Sequence, residues 1–204
     1  MNREKHIEMG LAPPGPRKGL TLVELVVVVA ILAILAAAIV PLVSQYAADA
    51  RVTATQASLT EIRNAIMGTT NAPGYLGDTG QLPAAMRDLF VQPAGMPAFD
   101  RDTSRGWRGP YLLSSGATYP RTDAYGQVGD PAVLDAWGNA IVLQVPSAGS
   151  IAANLAFARL VSAGRNGAVE TPLNLLDSLG NPYPAAGARG DDIVLFLNHS
   201  DSDP

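Results

Sequence analysis

The chain contains no cysteine. That absence excludes a disulfide framework, a thiol nucleophile and any cysteine-ligated zinc or iron–sulfur centre. Histidine is nearly as scarce, with only His6 and His199, which argues against a histidine-based metal site. Lysine occurs only as Lys5 and Lys18, so everything beyond residue 19 lacks an amine side chain for Schiff-base or Ser/Lys chemistry. Charged residues are 16% of the 204 and the formal net charge is -4, which supplies no concentrated basic surface. A nucleic-acid partner is therefore not expected. No P-loop, dinucleotide fingerprint or HExxH pattern occurs, and nothing places Ser, Asp and His side by side, so no catalytic residue is assigned.

What the chain does have is apolar residues, 48% of the total, distributed as one membrane-tethered domain would require. Its charge is uneven. Arg3, Lys5, Arg17 and Lys18 outweigh Glu4 and Glu8 by +2 in residues 1–19, leaving -6 for the rest. From Leu25 to Val43 no charged residue occurs, and as a helix this run measures about 28 Å, enough to cross a hydrocarbon core. The basic flank places residues 1–19 in the cytoplasm and the remainder outside.

An ordinary secretory signal would offer Ala48-Asp49-Ala50 as its cleavage site, and an uncleaved anchor is a second plain explanation. The run exceeds the roughly 7–15 apolar residues of a signal peptide. Neither explanation accounts for Glu24, a lone carboxylate at the front edge of the apolar segment. Buried unpaired, it would cost about 2.5–3.5 kcal/mol, although an acid near the border can also snorkel to the headgroups. Pro41 is the other irregularity: it cannot donate to the Ala37 carbonyl, so a kink or local opening is expected.

After Pro41 the sequence stays helix-compatible to Thr70. Val52, Thr55, Leu59, Ile62 and Ile66 recur at three- and four-residue spacing and define one face to lie against a sheet. A continuous helix from Leu20 to Thr70 would be about 75 Å long, so part of it should project from a head of this size. Asn71-Ala72-Pro73-Gly74 reads as the terminating turn. A short helix is predicted over Ala84–Val91, then a mixed-sign surface loop from Pro93 to Arg108 around Trp107. Strands are predicted at Ala140–Val145, Asn154–Val161 and Asp192–Leu197, and the Pro/Gly-bearing loops between them favour a small antiparallel sheet. The fold class is therefore α+β. Asp135-Ala136-Trp137-Gly138-Asn139 reads as a turn with Trp137 packed on the core.

The string Lys18-Gly19-Leu20-Thr21-Leu22-Val23-Glu24-Leu25, followed by the apolar run, resembles the class III leader of type IV prepilins and type II secretion pseudoprepilins. The resemblance implies a pilin-like fold in which prepilin peptidase cuts after Gly19 and Leu20 becomes the N-methylated terminus. Leu20 stands where phenylalanine is most frequent. Residues 1–19 would be the leader, 20–43 the transmembrane and filament-core half of the helix, 44–70 its amphipathic half, and 71–204 the globular head. Glu24 would pair with the terminal amine of an adjacent subunit, a group whose ordinary pKa is about 7.7–8.0. Pro41 would serve helix bending or melting during assembly.

Three patches are similar, in order, to the major (G-type) pseudopilin: Trp107-Arg108-Gly109-Pro110-Tyr111-Leu112, Asp135-Ala136-Trp137-Gly138-Asn139, and Ser162-Ala163-Gly164-Arg165-Asn166-Gly167 with Asp191-Asp192-Ile193. This likeness implies calcium, held by Asp191 and Asp192 with Asn166 and the Ala163 carbonyl; Asn166 replaces an aspartate and lowers the ligand charge. The plain alternative is a solvated Gly-Asp-Asp turn entering a strand. The implied partners are further copies in a homopolymer, prepilin peptidase, an inner-membrane assembly platform, minor pseudopilins and membrane lipid. The location would be the inner membrane, crossed once, with the C-terminal domain in the periplasm. A surface type IV pilus for adhesion or motility is the nearest alternative, and a monomeric membrane-anchored periplasmic binding protein or enzyme is the alternative of another class.

Overall fold

The computed structural model describes residue 19 and residues 21–145, 155, 157–173 and 189–198. In chain order the elements are α1 (Leu22–Met67), α2 (Gly74–Thr79), a 3-10 turn (Met86–Leu89), β1 (Val142–Gln144), β2 (Arg159–Ser162) and β3 (Ile193–Phe196). The chain divides into two compact units, residues 1–46 and 47–204.

In the first unit the described part is the start of α1. Thr21 precedes the helix and its Oγ1 accepts the Glu24 N–H at 3.2 Å, satisfying one of the donors a helix start leaves open. Thr-x-x-Glu is a capping-box spacing, and the Glu24 carboxylate in the first turn also sits at the favourable end of the helix dipole. Beyond it every described side chain from Thr21 to Ala37 is exposed. The helix continues across position 41, while the Pro41 side chain lies outside the described residues. Among the described residues no helix is long and apolar enough to cross a membrane. The side chains at 38 and 40–42 fall outside the description, and with them part of the run expected to span.

The second unit is organised by the alternation of a three-stranded antiparallel sheet in the order β1-β2-β3. Leu143, Leu160 and Leu195 stand in register on one face and pack in the same core as Leu59, Ile62 and Ile66 of α1. Val142, Val161 and Val194 form the adjacent row on the opposite face, against Tyr119 and Ala132. The helical face expected from spacing is therefore the one buried: Thr55, Leu59, Ile62 and Ile66 are all at most 1% exposed, with Val52 half-buried. α1 ends at Met67 because Gly68 turns left-handed, φ +87°, and donates its N–H to the Asn64 carbonyl at 2.8 Å.

Local elements depart from expectation in four places. The expected strand from Asn154 is replaced at Leu155 and Phe157 by helical backbone, and β2 begins only at Arg159; an apolar Leu-Ala-Phe-Ala run is ambiguous between the two periods. The 84–91 helix is the shorter 3-10 turn, held by Asp88 Oδ2 accepting the Ala84 and Ala85 N–H groups at 2.9 and 3.2 Å. Trp137 is half-buried but is not among the side chains packed on either core cluster; Trp107 is, and its indole N–H donates to the Asp88 carbonyl at 3.0 Å. The 93–108 segment is accordingly more than a surface loop: Arg108 pairs at 2.9 Å with Asp78, whose side chain is 3% exposed.

Candidate functional site

Two places were expected to carry function, the start of α1 and the loops beside β3. At the first, Gly19 is exposed, and a Cβ added there would meet nothing within 4 Å. No packing among the described residues demands glycine at that position. Leu20 lies outside the described residues, and Glu24 is exposed with its backbone N–H capped by Thr21.

At the second, the expected ligand residues gather around two carboxylates that staple loops from different parts of the sequence. Asp191 Oδ2 accepts the Arg165 and Asn166 N–H groups at 2.8 and 3.0 Å. Asp192 Oδ2 accepts the Glu170 and Thr171 N–H groups at 2.9 and 2.6 Å. Gly164 makes the close approach possible: its φ is +58°, and a Cβ there would overlap the Asp191 carbonyl oxygen. Asn166 turns its Oδ1 back to the Ala168 N–H at 2.7 Å, and Ala163, three residues earlier, is buried.

As a cation set these residues fit in donor chemistry. Calcium takes six to eight oxygens in flexible geometry, and Asp192 Oδ1 is a buried oxygen with no hydrogen-bond partner. Burial pushes the Asp192 carboxyl above its ordinary 3.8, against the lowering effect of hydrogen bonds from Thr171 and Glu170. The loops close through backbone donors already, however, and among the described residues no group of three or more Asp, Glu, His or Cys converges as a metal site.

Two contributors were not expected. Glu170 joins the acidic pair, its Oε2 accepting the Asp191 N–H at 3.3 Å. Asp135, 6% exposed, is the hub behind the site. Its Oδ1 accepts the Trp137 and Asn139 N–H groups at 2.9 and 2.8 Å, and its Oδ2 accepts the Ser162 hydroxyl at 2.6 Å. Thr55 of α1 takes the Ala136 N–H at 3.1 Å, and Asn139 Nδ2 donates to the Gly164 carbonyl at 2.8 Å, so the turn couples helix, sheet and loop. This confirms the Asp135–Asn139 turn and gives its polar residues a structural role.

Comparison with known families finds the prokaryotic N-terminal methylation motif at residues 15–40. It covers the segment around Gly19, Leu20 and Glu24 and the first part of α1. Neither a curated protein nor a solved structure matches the chain. The motif is the leader of type IV pilin-like and pseudopilin proteins; it points to a structural subunit that is processed by prepilin peptidase and polymerised. The α+β architecture, an N-terminal helix with a small antiparallel sheet, is consistent with a pilin-like fold.

Proposed function

We propose that residues 20–204 form the structural subunit of a type II secretion pseudopilus, anchored in the inner membrane with its head in the periplasm. The observation that carries this is the methylation motif at 15–40 running directly into a helix start whose described side chains are exposed through Ala37. Such a contiguous apolar surface needs a cover, and lipid before assembly and other copies after it supply one. Glu24, at the front of that surface, pairs in the filament with the methylated amine of Leu20 from a neighbouring copy. Pro41 eases bending of the helix on assembly. The order of the Trp107–Leu112, Asp135–Asn139 and Ser162–Gly167 patches favours the secretion filament over a surface pilus. Minor pseudopilins and an assembly platform are the further partners this entails.

Intact mass of the protein from native membranes tests the proposal. Loss of residues 1–19 with gain of one methyl supports it, while a full-length chain or one cut at Ala50 refutes it. Filament yield gives the second measurement: Glu24→Ala should leave the protein inserted but poorly polymerised.

We further propose that calcium rests on Asp191 and Asp192, with Asn166 and the Ala163 carbonyl completing the set. When bound it would supply positive charge that holds the loop carboxylates together. The unpartnered Asp192 Oδ1 supports this. Calcium should raise the melting temperature of the mature protein and magnesium should do so less; equal melting in calcium and in chelator would reject the site.

A further inference from the structure

Residues 166–167 are the one Asn-Gly pair in the chain. Glycine after asparagine leaves the side-chain amide carbon open to the next backbone nitrogen, because no Cβ stands in the way. Here three further features coincide. Asn166 is exposed, so solvent reaches the amide. Its Oδ1 accepts the Ala168 N–H at 2.7 Å, which closes a ring that folds the side chain back over its own C-terminal peptide. The Gly167 N–H donates no hydrogen bond among the described residues, so no bond must break to free that nitrogen. The other described asparagines, Asn64, Asn71, Asn139 and Asn198, differ, and none of them precedes glycine. Asn64 is inside α1, Asn139 commits its Nδ2 to the Gly164 carbonyl at 2.8 Å, and both precede alanine, as does Asn71.

We propose that Asn166 is a spontaneous modification site, deamidating through attack by the Gly167 nitrogen. That nitrogen gives up its proton to a solvent base and bonds to Asn166 Cγ; the Cγ–Nδ2 bond breaks and Nδ2 leaves as ammonia. The Ala168 N–H lies on Oδ1, where negative charge develops in the tetrahedral intermediate, and stabilises it as a preorganised donor. One water then opens the succinimide. Attack at Cγ gives aspartate, and attack at the backbone carbonyl gives isoaspartate. No electron transfer is involved, and the net change is one water consumed and one ammonia released.

The product places a carboxylate beside Asp191, whose Oδ2 already holds the N–H of residue 166 at 3.0 Å. Aspartate keeps that backbone bond and adds an anion to a site containing Glu170, Asp191 and Asp192. Isoaspartate lengthens the main chain by one carbon and pulls residues 165 and 166 off the Asp191 staple. The inference rests on loop geometry and stands or falls independently of the filament assignment.

Peptide mapping of the mature protein after ageing at mildly alkaline pH is the test. The peptide beginning at Asn166 should gain the mass of an amide-to-acid change and split into aspartate and isoaspartate forms, while those carrying Asn64, Asn71 and Asn139 stay unchanged. Asn166→Gln should abolish the change. Ala168→Pro, which deletes the stabilising donor, should slow it about tenfold in a chain that still melts cooperatively. Conversion no faster than at Asn71 overturns the proposal. So does conversion that starts only when urea has unfolded the protein.

Discussion

Leu25, Val29, Leu32 and Ile34 are 57, 56, 58 and 71% exposed, whereas in residues 47–204 Thr55, Gln144, Arg159 and Ser162 are wholly buried. One region turns apolar groups outward and the other turns polar groups inward, and each inverts the usual preference of soluble proteins. Most of the inward polar atoms are matched within the chain; Arg159 Nη1, Thr171 Oγ1 and Asp192 Oδ1 are the buried exceptions among the described residues. Arg159 donates from Nε to Gln144 Oε1 at 2.7 Å and from Nη2 to the Pro172 carbonyl at 2.5 Å, while Gln144 donates to the Thr171 carbonyl at 2.8 Å. The outward apolar groups have no such match within residues 21–37. The degree of self-matching is what separates the two regions: the head supplies partners for most of its buried polar atoms, and the start of α1 must obtain its cover from lipid or other copies.

The sharpest way to break that contrast is to remove the head's polar hub. Asp135→Ala strands the buried Ser162 hydroxyl, at about 1–3 kcal/mol, and two part-buried N–H donors that cost less, and should cost about 3 kcal/mol in all. That is a substantial share of the stability of a domain this size, so circular dichroism should show the head melting about 10 °C lower. Asp135→Asn, which retains one acceptor, should lose less. An unchanged melting curve for Asp135→Ala would mean the hub is not structural.

Next in size is an exchange in the opposite region. Val29→Arg places a charge in the exposed apolar run and should cost about 3 kcal/mol of insertion free energy, moving protein from the membrane to the soluble fraction. The head should melt as before, because its cores contain no residue of this segment. Retention in the membrane at wild-type level would remove the requirement for an apolar cover.

Smaller still is the effect of the helix start. Thr21→Val deletes the hydroxyl that caps Glu24 and should cost about 1 kcal/mol of local helix stability. Comparison with Glu24→Gln separates two roles for the carboxylate. If Glu24 serves only the first turn, both variants should depress filament yield alike. If it neutralises a neighbour's amine, Glu24→Gln should be far worse.

What could be read in the sequence follows from the range of the interactions involved. Thr55, Leu59, Ile62 and Ile66 declare their shared face because helical spacing is local, and Thr21-x-x-Glu24 is likewise a local signature. The start of β2 was not legible, since Leu-Ala-Phe-Ala suits either period until the leucine row of the sheet selects the register. The roles of the two tryptophans were exchanged for a similar reason: which indole reaches the core depends on contact with Asp88, far from Trp107 in sequence. Asp191 and Asp192 were visible as an acidic pair, but Glu170 reaches them only when the loop returns, and the Asp135 hub joins residues from 55 to 164.

The smallest expected effect concerns pH, and it tests one of the places where the head's buried network is left unmatched, Asp192 Oδ1. Burial raises the Asp192 carboxyl above 3.8, so the folded chain holds this proton more tightly than the unfolded chain does. The contribution is fully present below the ordinary aspartate value and is lost as pH rises through the higher folded value. Wild type should therefore gain stability relative to Asp192→Asn on acidification through that interval, and the difference between their melting temperatures should stay level at higher pH. Calcium, by favouring the ionised carboxylate, should lower the folded value and shrink the effect. A difference that instead grows as pH rises would mean that backbone donors outweigh burial at Asp192, leaving the carboxylate satisfied without a cation.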